Sequence, residues 1–335
     1  MRRSSIIAAS AVFALSFTGV GLVAVADPAA GPAPAAQSRQ ATVERTEKIT
    51  DQRTAIFVHS PSMNETVQVQ VLHPASGGPR PTLYLLDGVG AGEESNYAES
   101  TWTLKTDIVD FMSDKNANVV LPIGGTATYY ADWSRPDPAL GTPKWETFLT
   151  KELPPIIDRQ FNGNGANSIA GVSMGAMGAA NLATRHPELY RGLTAFSGCL
   201  DNTEPSSRDS VRGTIAYKGG DPANLWGPDN DPLWAANDPT INAEALRGKQ
   251  VYISTGNGMP GPHEMARGGD LASTIALGGP LEFLANICTR TYQNRLGELG
   301  IPATFVYHNH GTHSWPYWQD EFKSAWPEIA RGLGI

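Results

Sequence analysis

The pentapeptide Gly171-Val172-Ser173-Met174-Gly175 constrains this chain more than any other segment. It ends a run, Ser168 to Val172, that reads as a strand, and it opens a run of small residues, Ala176 to Ala183, that reads as a helix. A serine at a sharp strand-to-helix turn holds a strained backbone and projects its hydroxyl clear of the sheet. Glycines two positions before and after it let strand, turn and helix approach closely. The free N–H groups at the helix start then face any carbonyl that meets the hydroxyl, so the Met174 amide is a candidate oxyanion donor. Ser173 reads as the nucleophile of an acyl-transfer site.

Other segments fall into the pattern such a turn requires. Short apolar runs at Val67–Leu72, Thr82–Leu86, Asn118–Pro122, Leu193–Phe196, Val251–Thr255 and Ala303–His308 read as strands. Helical stretches are expected at about Trp145–Ile157, Leu281–Glu298 and Tyr317–Leu333. Strands alternating with helices predict an α/β fold, a mostly parallel central sheet with helices on both faces. The Pro/Gly/Asp-rich stretch 218–240 reads as an irregular excursion within one catalytic domain, residues 46–335.

The N-terminus reads as an export signal over residues 1–26. Arg2 and Arg3 precede an apolar stretch from Ile6 to Val25, and Ala24-Val25-Ala26 offers small residues for cleavage before Asp27. Residues 27–45, Ala/Pro-rich in their first part, read as a flexible lead. Cleavage removes two of 25 bases and none of 33 acids, so acids outnumber bases by ten in the mature chain. That balance argues against nucleic acid or an anionic membrane as the main partner. In an oxidising compartment, Cys199 and Cys288, the only cysteines, suggest one disulfide.

A nucleophilic serine needs a base to take its proton and a third group to orient that base. Of seven histidines, His308, His310 and His313 lie just beyond the last expected strand, where this fold carries its base. For the acid, Glu264, Asp270 and Glu282 all qualify by position. The chemistry calls for no metal and no cofactor.

Five segments together resemble the antigen 85 and corynebacterial mycolyltransferase family of secreted α/β-hydrolases. They are Tyr84-Leu85-Leu86-Asp87-Gly88, Pro122–Trp133 (PIGGTATYYADW), Lys144–Thr150 (KWETFLT), Gly171–Gly175 and Gly311–Trp318 (GTHSWPYW). The resemblance implies His313 as the base and Glu282 as the acid, with Val89 and Met174 as the oxyanion amides. It also implies a sugar contact by Asp87. Trp315, with Trp133, Trp318 and Phe283, is a candidate to line the acyl pocket or its rim. The implied enzyme is a monomeric, cofactor-free serine acyltransferase of the cell envelope. Its substrates would be trehalose mycolates, and its acceptor a sugar hydroxyl of trehalose monomycolate or of a cell-envelope glycan. One departure stands out: Gly90 occupies the position where antigen 85 members carry an arginine at the sugar pocket.

Overall fold

A computed structural model describes residues 40–75, 77–267, 272 and 274–335. The export segment, most of the lead and Asp270 lie outside the described residues. Among the described residues nine strands form one sheet: β1 (Thr42–Thr50), β2 (Arg53–Ser60), β3 (Glu65–Leu72), β4 (Arg80–Leu86), β5 (Asn118–Ile123), β6 (Gly163–Val172), β7 (Tyr190–Phe196), β8 (Gln250–Thr255) and β9 (Thr304–Tyr307). Their spatial order is β1-β2-β3-β5-β4-β6-β7-β8-β9. The pairs β1–β2, β2–β3 and β3–β5 are antiparallel, and every pair from β5 to β9 is parallel.

The apolar runs follow from burial of both sheet faces. In β4, Tyr84 and Leu86 face one core while Leu83 and Leu85 face the other, and all four have no exposed surface. A strand covered on both sides has no need of a polar alternate. The first face is covered by α1 (Pro154–Phe161) and α2 (Met174–Arg185). The second is covered by the aromatic stripe of a C-terminal helix, Trp315–Leu333, through Trp318, Phe322 and Ile329. Two further helices flank the site, α3 (Pro205–Tyr217) and α4 (Gly279–Glu298), and the C-terminal helix is α5.

Several expectations shift in detail. Residues 42–45 belong to β1 and not to a flexible lead; β1 is an exposed, charged edge strand with no apolar face for the sequence to advertise. The helix expected over Trp145–Ile157 divides into a turn at Trp145–Thr147, a wider π-type turn at Phe148–Glu152, and α1. Pro154 and Pro155 cannot donate to the preceding carbonyls, so the ladder restarts with proline in the first turn. The KWETFLT block is structural here: buried Glu146 accepts from Arg185 Nε at 2.9 Å and from His186 Nε2 at 2.7 Å, holding the end of α2. The 218–240 excursion is anchored by Trp226 and Trp234, both buried and packed edge to face at 5.1 Å.

Candidate active site

Ser173 caps α2 with φ 56° and ψ −121°. For a non-glycine residue that backbone costs roughly 1–3 kcal/mol, and the surrounding packing holds it there. A Cβ on Gly171 would lie 2.1 Å from the Gly175 carbonyl oxygen, and one on Gly175 would lie 2.3 Å from the Asp87 carbonyl oxygen. Both motif glycines are therefore steric necessities. Gly175→Ala is expected to destabilise the fold by about 3 kcal/mol and to push the Asp87-Gly88-Val89 turn off the nucleophile. Urea unfolding and ester turnover of the variant check this, and a wild-type midpoint would contradict it.

The three side chains meet in a line. Ser173 Oγ lies 2.7 Å from His313 Nε2, and His313 Nδ1 lies 2.8 Å from Glu282 Oε2. With Nδ1–H donating to Glu282, Nε2 keeps its lone pair for the serine proton. Glu282 is 1% exposed, and its Oε1 accepts from Gly256 N at 2.6 Å, Ser197 Oγ at 2.7 Å and Thr255 Oγ1 at 3.0 Å. Ser197 in turn accepts from Trp318 Nε1 at 2.9 Å, and the Trp318 ring stands edge-on to His313 at 4.9 Å. Ser197 and Thr255 escaped the sequence reading because neither carries a motif of its own, and Trp318, expected at the acyl pocket, instead supports the Glu282–His313 pair.

Among the described residues, the rival acid Glu264 and the rival bases His308 and His310 sit elsewhere. Glu264 accepts from Gly261 N at 2.8 Å and also from Thr312 Oγ1 and Tyr317 Oη, so it braces the histidine loop without touching His313. His308 pairs with Glu321 at 2.6 Å, and that hydrogen bond raises its pKa. His310 lies against the Tyr317 ring at 5.8 Å.

Met174 is the first residue of α2, so its N–H has no intrahelical partner. The Asp87–Val89 turn abuts it: a Cβ on Gly88 would be 3.7 Å from Ser173 Cβ. The Val89 peptide is held by its carbonyl, which accepts from Ala127 N at 3.1 Å. Val89, Ser173, Met174 and His313 lie together at a cavity of about 430 Å³. Its walls are chiefly apolar, with Met177 from α2, Val211 and Tyr217 from α3, and Leu281 and Leu284 from α4. Cys199, also in the wall, is joined by a disulfide to Cys288 of α4.

Two expectations need correction. Asp87 does not present its carboxylate to a sugar. It is wholly buried, with Oδ1 accepting from Ser100 Oγ at 2.9 Å and Trp102 N at 3.3 Å, and Oδ2 from Thr101 N at 2.9 Å. The carboxylate thus ties the short helix Thr101–Lys105 to the oxyanion turn. Nor do the proposed aromatics line the cavity. Trp133 and Trp318 are core residues, Trp315 packs on Trp102 and Trp318 at 5.2 and 5.1 Å, and Phe283 points outward from α4 with 58% exposure. Cavity-lining residues come instead from helices far apart in the chain.

Burial pushes the Asp87 carboxyl up from 3.8 to about 6, with its hydrogen bonds from Thr101, Ser100 and Trp102 pulling the other way. The folded protein therefore binds this proton more tightly than the unfolded chain. The associated stability is complete below about pH 4 and lost as pH rises through about 6. Asp87→Asn, uncharged throughout, should gain on the wild type by about 3 kcal/mol between pH 4 and pH 7.5. Urea unfolding at both pH values measures the gap, and a pH-independent gap would contradict the assignment.

Fold and geometry together define an α/β-hydrolase with a serine, a histidine and a carboxylate in register for acyl transfer. The family model described as Putative esterase matches residues 60–329. The diacylglycerol acyltransferase/mycolyltransferase Ag85A of Mycobacterium leprae is 33% identical over 287 residues, covering 83% of this chain and 82% of that protein. Ag85B of Mycolicibacterium smegmatis is 34% identical over 293 residues, covering 83% and 85%. The crystal structure of Mycobacterium tuberculosis MPT51 (FbpC1) superposes with a TM-score of 0.68 at 25% identity, covering 82% of this chain and 96% of that one. An S-formylglutathione hydrolase from Agrobacterium tumefaciens shares the fold, with a TM-score of 0.64 at 16% identity. This chain belongs to the antigen 85 family of acyltransferases. Among the described residues no helix is long and apolar enough to cross a membrane.

Proposed function

We propose that this chain is a secreted mycolyltransferase of the cell envelope, with Ser173 as nucleophile, His313 as base and Glu282 as the group that orients it. The observation that carries the reading is the unbroken Ser173–His313–Glu282 chain, at 2.7 and 2.8 Å, opening on an apolar cavity. Ser173 Oγ attacks the ester carbonyl of trehalose monomycolate as its proton passes to His313 Nε2. The developing oxyanion is received by the Val89 and Met174 amides, each worth about 3 kcal/mol of barrier. Collapse breaks the ester C–O bond, and His313 returns the proton to the departing trehalose hydroxyl, leaving a mycolyl-serine. A second sugar hydroxyl, of trehalose monomycolate or a cell-envelope glycan, gives its proton to His313 as its oxygen bonds the acyl carbon; the bond to Ser173 Oγ then breaks, and His313 returns the proton to Oγ, restoring the free serine.

The acyl chain lies against Met177, Val211, Leu281 and Leu284, and its apolar bulk keeps water from the ester of the intermediate. At the acceptor side Gly90 leaves the space an arginine fills in antigen 85 members. The cation nearby is Lys218, which pairs with Glu93, and a Cβ on Gly90 would lie 3.8 Å from Glu93. A different acceptor preference follows from that exchange. Partition of a p-nitrophenyl ester between trehalose and water tests the reading. Acyl-trehalose accumulating with added trehalose supports transfer; free acid alone at every trehalose concentration would make this a carboxylesterase.

A further inference from the structure

A second cavity, of about 600 Å³, lies beside the oxyanion turn, between β2–β3 and the loop Gly124–Thr128. Ile123 closes β5 at the same end of the parallel sheet as Val172 closes β6, so this cavity opens at the nucleophile's end of the fold. Its loop is tied directly to the turn that carries the oxyanion amide. Gly124 N donates to Ala91 O at 2.9 Å, Thr126 Oγ1 to Gly90 O at 3.1 Å, and Ala127 N to Val89 O at 3.1 Å.

The lining has the chemistry of a sugar site. Tyr97 is 43% exposed, and its hydroxyl meets Thr126 Oγ1 at 3.0 Å, leaving a ring face beside hydroxyl and amide groups from Gln68, Thr126 and Thr128. Gly124 and Gly125 have φ of 111° and 84° and lie flat on the Trp145 indole, where a Cβ on Gly125 would be 2.9 Å from Cε2. Glu65 is the only charged residue among the described residues of the wall, and its carboxylate disfavours phosphate or carboxylate ligands; the Arg45 guanidinium beside the cavity is taken up over the Phe57 ring at 3.7 Å and by Glu47 at 3.2 Å. Neutral polyols satisfy such a wall, with apolar ring faces on aromatics and hydroxyls on amide, hydroxyl and carboxylate groups.

We propose that this cavity binds the remote ring of a neutral oligosaccharide acceptor whose attacking hydroxyl reaches Ser173, an inference that rests on the sugar-acceptor reading above. The test is direct binding of trehalose to the full chain carrying Ser173→Ala, by calorimetry and by hydrogen exchange. Tyr97→Ala and Glu65→Ala are made in the same background, with melting temperatures confirming the fold. Expected results are protection of residues 123–128 by trehalose and a Kd raised about fivefold or more by Tyr97→Ala, the loss of one aromatic contact. No binding, or binding that leaves 123–128 unprotected and is indifferent to both substitutions, overturns the proposal. Because the assay needs no turnover, its failure is separate from a failure of acyl transfer.

Discussion

Ser173→Ala is expected to lower kcat by about 10⁴- to 10⁶-fold while the unfolding midpoint stays near wild type. The neighbouring hydroxyl at Ser197 cannot substitute, because it donates to Glu282 and accepts from Trp318 and is held away from the base. The fold should tolerate the change, since alanine meets the same positive φ as serine and the turn is held by Gly171, Gly175 and the bond from Ser173 N to Phe196 O at 2.9 Å. Residual turnover would come from the oxyanion amides and substrate binding alone. Steady-state kinetics on a p-nitrophenyl ester, with loss of phosphonate labelling, checks the first half; urea unfolding checks the second. Activity within about tenfold of wild type would contradict the assignment of the nucleophile.

Glu282→Gln is expected to cost about 10³- to 10⁴-fold in kcat for a reason specific to this site. The Gly256 N–H is a fixed donor 2.6 Å from Oε1, so a glutamine must turn its oxygen toward Gly256 and its NH₂ toward His313. Nδ1 of the histidine then becomes an acceptor, its proton moves to Nε2, and no lone pair remains for the serine proton. Ser173 would stay in place and KM would change little, so the loss should fall on kcat and on the rate of phosphonate labelling. A loss below about tenfold would mean that another carboxylate orients His313. Glu264, which braces the same loop through Thr312, would be examined next.

The nucleophile and the core strands were legible because each is a local pattern. A G-x-S-x-G turn needs its glycines within five residues, and a strand buried on both faces shows as an unbroken apolar run. The base was narrowed to three histidines by its place after the last strand, and only the HSW block singled out His313. Choosing Glu282 over Glu264 was beyond local reasoning, since both carboxylates reach the Gly311–His313 loop and differ only in which atom of it they meet. The burial of Asp87 was equally hidden: its partners, Ser100 to Trp102, lie 13 to 15 residues on, in a short helix without a sequence signature. Cavity walls drawn from α2, α3 and α4 are a tertiary product. Of the aromatics that looked suited to a lipid pocket, Trp133 and Trp318 were taken up by the core and Phe283 faces outward.

Incubation of the mature chain with trehalose monomycolate, followed by mass spectrometry of the lipids, tests the central claim most directly. The account predicts trehalose dimycolate, or mycolate on an added arabinan acceptor, formed by the wild type and absent with Ser173→Ala. Free mycolic acid as the sole product with both acceptors present would contradict it and leave a hydrolase in its place.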